Sequence, residues 1–184
     1  MPDSLLSMFA FNTERLHLRP LNAGDEILYR DLYTDAETMR HIAPPLSIEQ
    51  SRRSFLKTLA LMHKQPTAWL LLAILTKATM EPIGICGVPH FDAGASRFEV
   101  GVMLLSGFHG AGFAKESKTG LMRRLFSLLP VSEIWVEYEL GNVAAARSNR
   151  SIGFLPCQDA MIGSGKPGKC VMSVCRESWW RSIA

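Results

Sequence analysis

The stretch that decides the fold runs from Glu99 to Glu116 and reads EVGVMLLSGFHGAGFAKE. Its apolar part, Val100 to Leu105, predicts a β-strand. The turn that follows contains three glycines, Gly107, Gly110 and Gly112. A helical pattern begins next, at Phe113 or Ala114. This order leaves backbone N–H groups free at a helix N-terminus, where a phosphate can come close because glycine has no Cβ.

The composition of the 184 residues is that of one globular domain, which we expect to span residues 1–184. Hydrophobic residues make up 47% of the chain, which is enough for a sizeable core. The net charge of +3 is mildly basic, and the Lys and Arg residues form no dense run. We therefore expect no dedicated nucleic-acid binding, whereas a basic pocket for a polyanionic cofactor needs only a few of these charges.

The sequence shows no signal for a membrane or for export. Its longest apolar run, Trp69 to Leu75, is too short to cross a bilayer, and the N-terminus lacks the basic segment of a signal peptide. The four cysteines have no C-x-x-C spacing, which predicts free thiols in a reducing cytoplasm. The five histidines have no metal-ligand spacing, so we expect no metal site.

The periodicity of apolar residues predicts a mixed α/β fold. The predicted strands are Leu16–Leu21, Trp69–Leu75, Pro82–Val88, Arg97–Leu105, Glu133–Leu140, a segment from Phe154 and Lys169–Val174. The predicted helices are Asp25–Tyr33, Asp35–His41, a helix capped by Ser47 and Gln50, a long helix from Ala114 to Pro130, and Val143–Ile152. An antiparallel meander joined to a βαβ-like unit gives a mixed sheet with helices on both faces.

Three motifs, in the right order, connect this pattern to a known family. The glycine-rich turn resembles the GNAT superfamily signature Gln/Arg-x-x-Gly-x-Gly/Ala, and here it reads His109-Gly110-Ala111-Gly112-Phe113-Ala114, with His in the first place. A second GNAT motif is matched by Asn142, Ala145, Gly153 and Phe154. The segment Thr13–Leu21 resembles the first strand of the RimJ/RimL-type branch, which acetylates N-terminal amines of ribosomal proteins. A purely structural glycine turn is the alternative, and no G-x-G-x-x-G dinucleotide fingerprint is complete.

The resemblance, over about residues 12–175, implies an acyl-CoA N-acyltransferase fold with a splayed strand pair and acetyl-CoA as the co-substrate. The backbone amides of residues 110–114 would hold the pyrophosphate of acetyl-CoA at the helix N-terminus. His109 either donates a hydrogen bond to a phosphate or is a loop residue beside it. The backbone of Val102, Met103 and Leu104 would pair with the pantetheine arm, while their side chains pack in the core. Asn142 would bind that arm or fix the turn as a helix cap.

A general base is needed because the attacking amine must arrive uncharged. Glu137 is the first candidate, since some N-terminal acetyltransferases of this superfamily carry their base on this strand, and Glu99 is the second. Many relatives place a tyrosine seven residues after the motif asparagine as the general acid, but this chain has Asn149 there, which cannot donate a proton in that sense. The neighbouring Ser148 is a conceivable substitute. The alternative for each of these side chains is that it lies on the surface and takes no part in catalysis.

These features predict an acetyl-CoA-dependent N-acetyltransferase that transfers directly in a ternary complex to a primary amine, with a protein or peptide N-terminus ahead of a small molecule. An antibiotic- or metabolite-modifying acetyltransferase is one alternative. A GNAT-fold domain that binds acyl-CoA without turnover is the other, and it would need neither Glu137 nor Glu99. The C-terminal pair Trp179-Trp180 would cover the core or a partner surface, such as that of a homodimer.

Overall fold

The structure is a computed structural model that describes residues 4–157, 159 and 162–183. Its strands, numbered in chain order, are β1 (Phe11–Asn12), β2 (Leu16–Pro20), β3 (Leu70–Thr76), β4 (Pro82–Val88), β5 (Arg97–Glu99), β6 (Gly101–Leu104), β7 (Glu133–Glu139), β8 (Leu155–Pro156) and β9 (Lys169–Cys175). Its α-helices are α1 (Ser4–Ser7), α2 (Glu26–Thr34), α3 (Ala36–Met39), α4 (Ile48–Met62), α5 (Phe113–Leu128), α6 (Val143–Arg150) and α7 (Arg176–Ile183). Short 3₁₀ turns lie at Ala23–Asp25 and Ser106–Phe108.

The strands form two sheets that meet at the chain segment between β5 and β6. The first sheet is antiparallel, in the order β1-β2-β3-β4-β6. The second has the order β5-β7-β9-β8, and its β5–β7 pair is parallel, as expected for two strands joined through α5. The mixed α/β fold with a largely antiparallel sheet and a splayed strand pair is therefore confirmed.

The predicted strand Arg97–Leu105 is wrong as one element, because it divides at Val100. Its first half, β5, pairs with β7, and its second half, β6, pairs with β4. An apolar run shows only that a segment is extended and buried. It does not show which neighbouring strand each half pairs with.

Other predicted boundaries hold to within a few residues, and three elements were missed. The capping box is confirmed: the amide of Gln50 donates to Ser47 Oγ over 3.2 Å, and the amide of Ser47 donates to Gln50 Oε1 over 2.8 Å. The missed elements are α1, β1 and α7. Two of them are shorter than five residues, too short for periodicity to detect, and α7 follows β9 without a connecting loop.

The core lies on both faces of the first sheet. Residues 70–75 of β3 are buried on both faces, which explains why this strand is a continuous apolar run rather than an alternating one. Helix α5 packs against β2, β4 and β6, and α2 packs against β4 and α4. Within the described part of the chain, no helix is both long and apolar enough to span a membrane.

The C-terminal helix α7 closes the core beside α5. The Trp179 side chain is fully buried, and its ring centroid lies 5.4 Å from that of Phe126 on α5. Trp180 is 36% exposed. Of the two predicted roles for this tryptophan pair, covering the core is the one that Trp179 fulfils.

We expect Trp179→Ala to lower the free energy of unfolding by about 3–5 kcal/mol, because it removes a large buried ring and leaves a cavity. Trp180→Ala is the matched control on the next residue and should cost distinctly less, since that ring is partly in water. Urea unfolding followed by circular dichroism measures both. Equal losses for the two variants would contradict the assignment of Trp179 to the core.

Candidate active site

The central feature of the candidate site is an open seam between β6 and β7. The amide of Val100 donates to the carbonyl of Trp135 on β7 over 2.9 Å. Beyond that bond β6 pairs with β4 and β7 pairs with β9, and β6 and β7 are not paired with each other. The two strands therefore present facing backbone edges with no strand between them.

Hydrogen-bond alternation shows which groups of β6 face the seam. The amide of Leu105 donates to the carbonyl of Ile83 on the β4 side over 2.9 Å, so Met103, two residues earlier, also turns its N–H and C=O towards β4. The intervening residues, Val102 and Leu104, turn their backbone groups into the seam. Of the three backbone contacts expected from the sequence, the amides of these two residues and the carbonyl of Val102 are therefore free to bind a ligand, whereas the Leu104 carbonyl is 2.9 Å from His109 Nε2.

The opposite edge of the seam is formed by β7. The amide of Leu140 donates to the carbonyl of Gly168, which places even-numbered residues of β7 in bonds with β9. Glu137 therefore turns its backbone N–H and C=O towards β6. An extended ligand with amide groups can bind at such an edge as an added strand does.

The glycine-rich turn forms a corner at one end of the seam. Gly110 and Gly112 have φ angles of +77° and +82°, which side chains with a Cβ rarely adopt. Residues 110–112 are exposed, and a Cβ added at Gly110 would meet nothing within 4 Å. Because α5 begins at Phe113 without a side-chain cap, its first amides are available to an anion.

His109 lies between this corner and β6. Its Nε2 is 2.9 Å from the carbonyl oxygen of Leu104. A carbonyl oxygen can only accept, so the proton of the neutral ring is on Nε2 and Nδ1 is an acceptor. A hydrogen bond from His109 to a phosphate would therefore require the protonated ring, and the backbone amides are the stronger candidates for that contact.

A polar cluster for which the sequence shows no local pattern braces the corner from the turn between β1 and β2. Glu116, in the first turn of α5, accepts from Thr13 Oγ1 over 2.6 Å and from the amide and Nε of Arg15 over 2.8 and 2.7 Å. Arg15 Nη1 also donates to the carbonyl of Ala111, and its guanidinium lies 4.5 Å from the centre of the Phe113 ring. Although burial acts to raise the pKa of Glu116, the bonds from Thr13 and Arg15 outweigh it and lower that pKa.

The face of the seam away from α5 is lined by carboxylates. Glu99 is the register partner of Trp135, so it shares a face with Glu137 and Glu139, which follow Trp135 at intervals of two. Glu139 also contacts His41, whose Nδ1 lies 3.1 Å from Oε2. The structure thus brings together the two predicted bases, one on each strand of the pair.

The two bases are in different environments. The Glu137 carboxylate accepts from the backbone amide of Ser164 and, over 2.8 Å, from Ser164 Oγ. Glu99 is partly buried, and burial, together with the nearby charge of Glu137, raises its pKa. A carboxylate with a raised pKa is the better proton acceptor near neutral pH.

The opposite face of the seam is covered by α5 and α6. Asn142 accepts from the amide of Ala145 over 2.9 Å and so caps α6, as predicted for one of its two roles. Ser148 is half-buried, and its carbonyl accepts from Ser151 Oγ. Asn149 is buried and accepts from Lys118 Nζ on α5 over 2.6 Å. No pattern in the sequence points to Lys118, because a lysine on a helix is ordinarily exposed.

Comparison with known proteins places this geometry in a family. Residues 15–155 match the family model described as an acetyltransferase (GNAT) domain. Among curated proteins, the "Uncharacterized N-acetyltransferase p20" of Bacillus licheniformis is 28% identical over 146 residues, which are 77% of this chain and 80% of that protein.

Solved structures show the same fold. An acetyltransferase from Agrobacterium tumefaciens superposes with a TM-score of 0.75 at 26% identity, over 90% of this chain and 93% of that one. At 17% identity, spermidine N-acetyltransferase from Vibrio cholerae, solved with CoA and spermine, has a TM-score of 0.74 over 91% and 99% of the two chains. The ribosomal L7/L12 alpha-N-protein acetyltransferase RimL, solved with CoA, is 15% identical in sequence. It superposes with a TM-score of 0.72 over 90% of this chain and 97% of that one.

We expect Glu116→Gln to lower the free energy of unfolding at neutral pH by about 1–2 kcal/mol, because it weakens charge-assisted hydrogen bonds. The folded pKa of Glu116 lies below its unfolded value, so this stabilisation is present above the unfolded pKa of about 4.3. It is lost as the pH falls through the folded pKa. Urea unfolding at neutral and at acidic pH measures the difference between variant and wild type.

The control is Glu49→Gln, which removes an exposed carboxylate that pairs with Arg53 one turn away. It should change stability by a few tenths of a kcal/mol at most. The bracing role of Glu116 would be contradicted if the two variants were equally stable at neutral pH, or if the difference between Glu116→Gln and wild type were independent of pH.

Proposed function

Because the chain belongs to the GNAT acetyltransferase family, we propose that it moves the acetyl group of acetyl-CoA to a primary amine, with a protein or peptide N-terminus as the acceptor. The observation that carries the proposal is the open seam, in which the free backbone amides of Val102 and Leu104 belong to the strand that follows Glu99. The proposal treats residues 1–184 as one catalytic domain working in the cytoplasm. It requires no metal, and a homodimer remains compatible with it.

The seam and the corner fit the two ends of acetyl-CoA. The pantetheine arm carries amide groups, which match the free edges of β6 and β7 in the way that an added strand does. The pyrophosphate is anionic, which matches the amides of residues 110–114 at the positive end of the α5 dipole, of which residues 110–112 are exposed. The residues present therefore suit this co-substrate, and Asn142 at the start of α6 is a further candidate to contact the arm.

The carbonyl of the thioester needs a hydrogen-bond donor as negative charge develops on its oxygen. The amides of Val102 and Leu104 are the free donors on β6. A fixed donor of this kind contributes about 2.7–4 kcal/mol to transition-state stabilisation. Because both amides belong to a strand held by β4, they need little reorganisation during the reaction.

Glu99 is the base in this proposal, ahead of Glu137. Its raised pKa and its place at the closed end of the seam, where β5 still pairs with β7, suit removal of a proton from an incoming amine. Glu137 is already committed to the loop residue Ser164 and adds negative charge that attracts a cationic amine. An α-amine, with a pKa of about 7.7–8.0, needs only a modest base, whereas a lysine amine near 10.4 needs a stronger one.

The second candidate function is acetylation of a small cationic amine. The carboxylate face formed by Glu99, Glu137 and Glu139 favours it, because such a face attracts any amine that carries more than one positive charge. The structural likeness extends both to a spermidine N-acetyltransferase and to the protein N-acetyltransferase RimL. Both likenesses are below 25% identity and show the fold alone.

Thiol release from acetyl-CoA, measured with a panel of acceptors, tests the proposal. We expect peptides with a free N-terminus to show kcat/KM values at least about tenfold above those of small mono- and polyamines. The matched control is the best peptide with its N-terminus already acetylated, which should release no thiol. Faster turnover of the small amines would favour the second candidate, and no turnover across the whole panel would contradict both.

We expect Glu99→Gln to lower kcat/KM by about 10²-fold, because the amide cannot accept a proton. In the wild type the rate should rise with pH as the carboxyl of Glu99 ionises above its ordinary pKa, and this acid limb should disappear in the variant. Glu81→Gln, at an exposed position outside the seam, is the control. Loss of the acid limb in Glu137→Gln but not in Glu99→Gln would reverse the assignment of the base.

A further inference from the structure

Lys118 is a buried cation that the proposed reaction has not used. Only 6% of the residue is exposed, and its Nζ donates to Asn149 Oδ1 over 2.6 Å. Among the described residues, no carboxylate lies within ion-pair distance of this ammonium. Asn149 is neutral, so the positive charge of Lys118 has a hydrogen-bond acceptor but no counter-charge.

The position of Lys118 relates it to the seam. Lys118 interacts electrostatically with Cys86 on β4. Cys86 is the register partner of Val102 on β6, so both side chains share the face covered by α5. Asn149 belongs to α6, which packs against β7. The hydrogen bond between Lys118 and Asn149 therefore joins the helix on the β6 side to the helix on the β7 side, across the helix-covered face of the seam.

A buried ammonium without a counter-charge is unfavourable unless negative charge appears beside it. Cys86 does not supply that charge, because burial raises the pKa of its thiol to about 12 and keeps it protonated. In the proposed reaction, negative charge develops twice in the seam, on the carbonyl oxygen and on the departing sulfur. The backbone amides of Val102 and Leu104 serve the oxygen, which leaves the sulfur without a donor.

We propose that Lys118, held by Asn149, is the proton donor to the departing thiolate of CoA. This inference rests on the proposed acetyl-CoA reaction. It explains how the chain can lack a tyrosine at the position of Asn149: the asparagine positions a donor that comes from α5 instead. Ser148, the substitute considered from the sequence, is then not needed as the acid.

The proposed transfer conserves atoms and charge. The amine nitrogen attacks the carbonyl carbon to form the C–N bond, and Glu99 takes one proton from the nitrogen. The tetrahedral intermediate then collapses, the C–S bond breaks, and its electron pair leaves on sulfur. A proton passes from Lys118 Nζ to that sulfur, which gives the thiol of CoA and a neutral amine. After the products leave, Glu99 releases its proton to water and Lys118 regains a proton from water.

The ionisation of Lys118 supports this role. Burial lowers its pKa to about 8, so the ammonium is charged at neutral pH yet can release its proton readily. The groups that face it are the Cys86 thiol from β4 and the Asn149 amide from α6, both of them neutral at that pH. An ordinary exposed lysine would hold its proton too strongly to serve as an acid near pH 7.

The test measures the thiol of bound CoA directly, by the ultraviolet absorbance of the thiolate in the protein–CoA complex as a function of pH. We expect the wild type to lower the pKa of that thiol by about one unit or more relative to free CoA. Lys118→Met keeps the length of the side chain but removes its charge, and should abolish the shift. Asn149→Asp supplies a counter-charge to Lys118 and should reduce the shift. Lys57→Met, at an exposed position on α4, should leave the shift unchanged.

Two further readouts separate the possible failures. Calorimetry of CoA binding tests the proposed function on its own. If CoA does not bind the wild type, the proposed function is contradicted. If CoA binds but the pKa of its thiol is unchanged, only the role of Lys118 is contradicted. For turnover, we expect Lys118→Met to lower kcat by about 10²-fold with little change in the KM for acetyl-CoA. Should Lys118→Met fail to fold, the Asn149→Asp titration decides: an unchanged thiol pKa in that variant would overturn the proposal.

Discussion

The whole site depends on one constraint of hydrogen bonding. The extended segment from Arg97 to Leu104 has two backbone edges, and after Val100 its chain follows β4 and leaves β7. The edge that faced β7 is then left with free amides at Val102 and Leu104 and a free carbonyl at Val102, while the Leu104 carbonyl accepts from His109. Free backbone groups of this kind must be satisfied by water or by a ligand, so the divergence of the strands creates the binding site directly.

Where the strands diverge, the groups that would act on the amine and those that would act on acetyl-CoA lie on opposite faces of the seam. On one face Glu99, Glu137 and Glu139 gather negative charge, which suits the arrival of an amine and the removal of its proton. On the other face α5 and α6 bring the glycine corner and Lys118, which suit a phosphate and a departing thiolate. The two reactants can therefore approach the same pair of amides from opposite sides without competing for space.

The sequence predicts features that depend on local backbone conformation. It does not predict contacts between side chains that are far apart in the chain. The corner at Gly110 and Gly112 was predictable, because positive φ angles and bare amides favour glycine. The split at Val100 was not, because an apolar run does not specify its pairing partners. The contacts of Glu116 with Arg15, and of Lys118 with Asn149, join segments about 101 and 31 positions apart, and no local pattern records such pairs. The preference for Glu99 over Glu137 likewise follows from burial and from Ser164, which only the folded chain brings close.

The central claim is that acetyl-CoA binds as an added strand in the seam, and amide hydrogen exchange with and without acetyl-CoA tests it most directly. The account predicts slower exchange at Val102, Leu104 and residues 110–114 on binding. Met103 serves as an internal reference, since its amide is already bonded towards β4 and should change least. Binding of acetyl-CoA that leaves Val102 and Leu104 unprotected, or no measurable binding at all, would contradict the account.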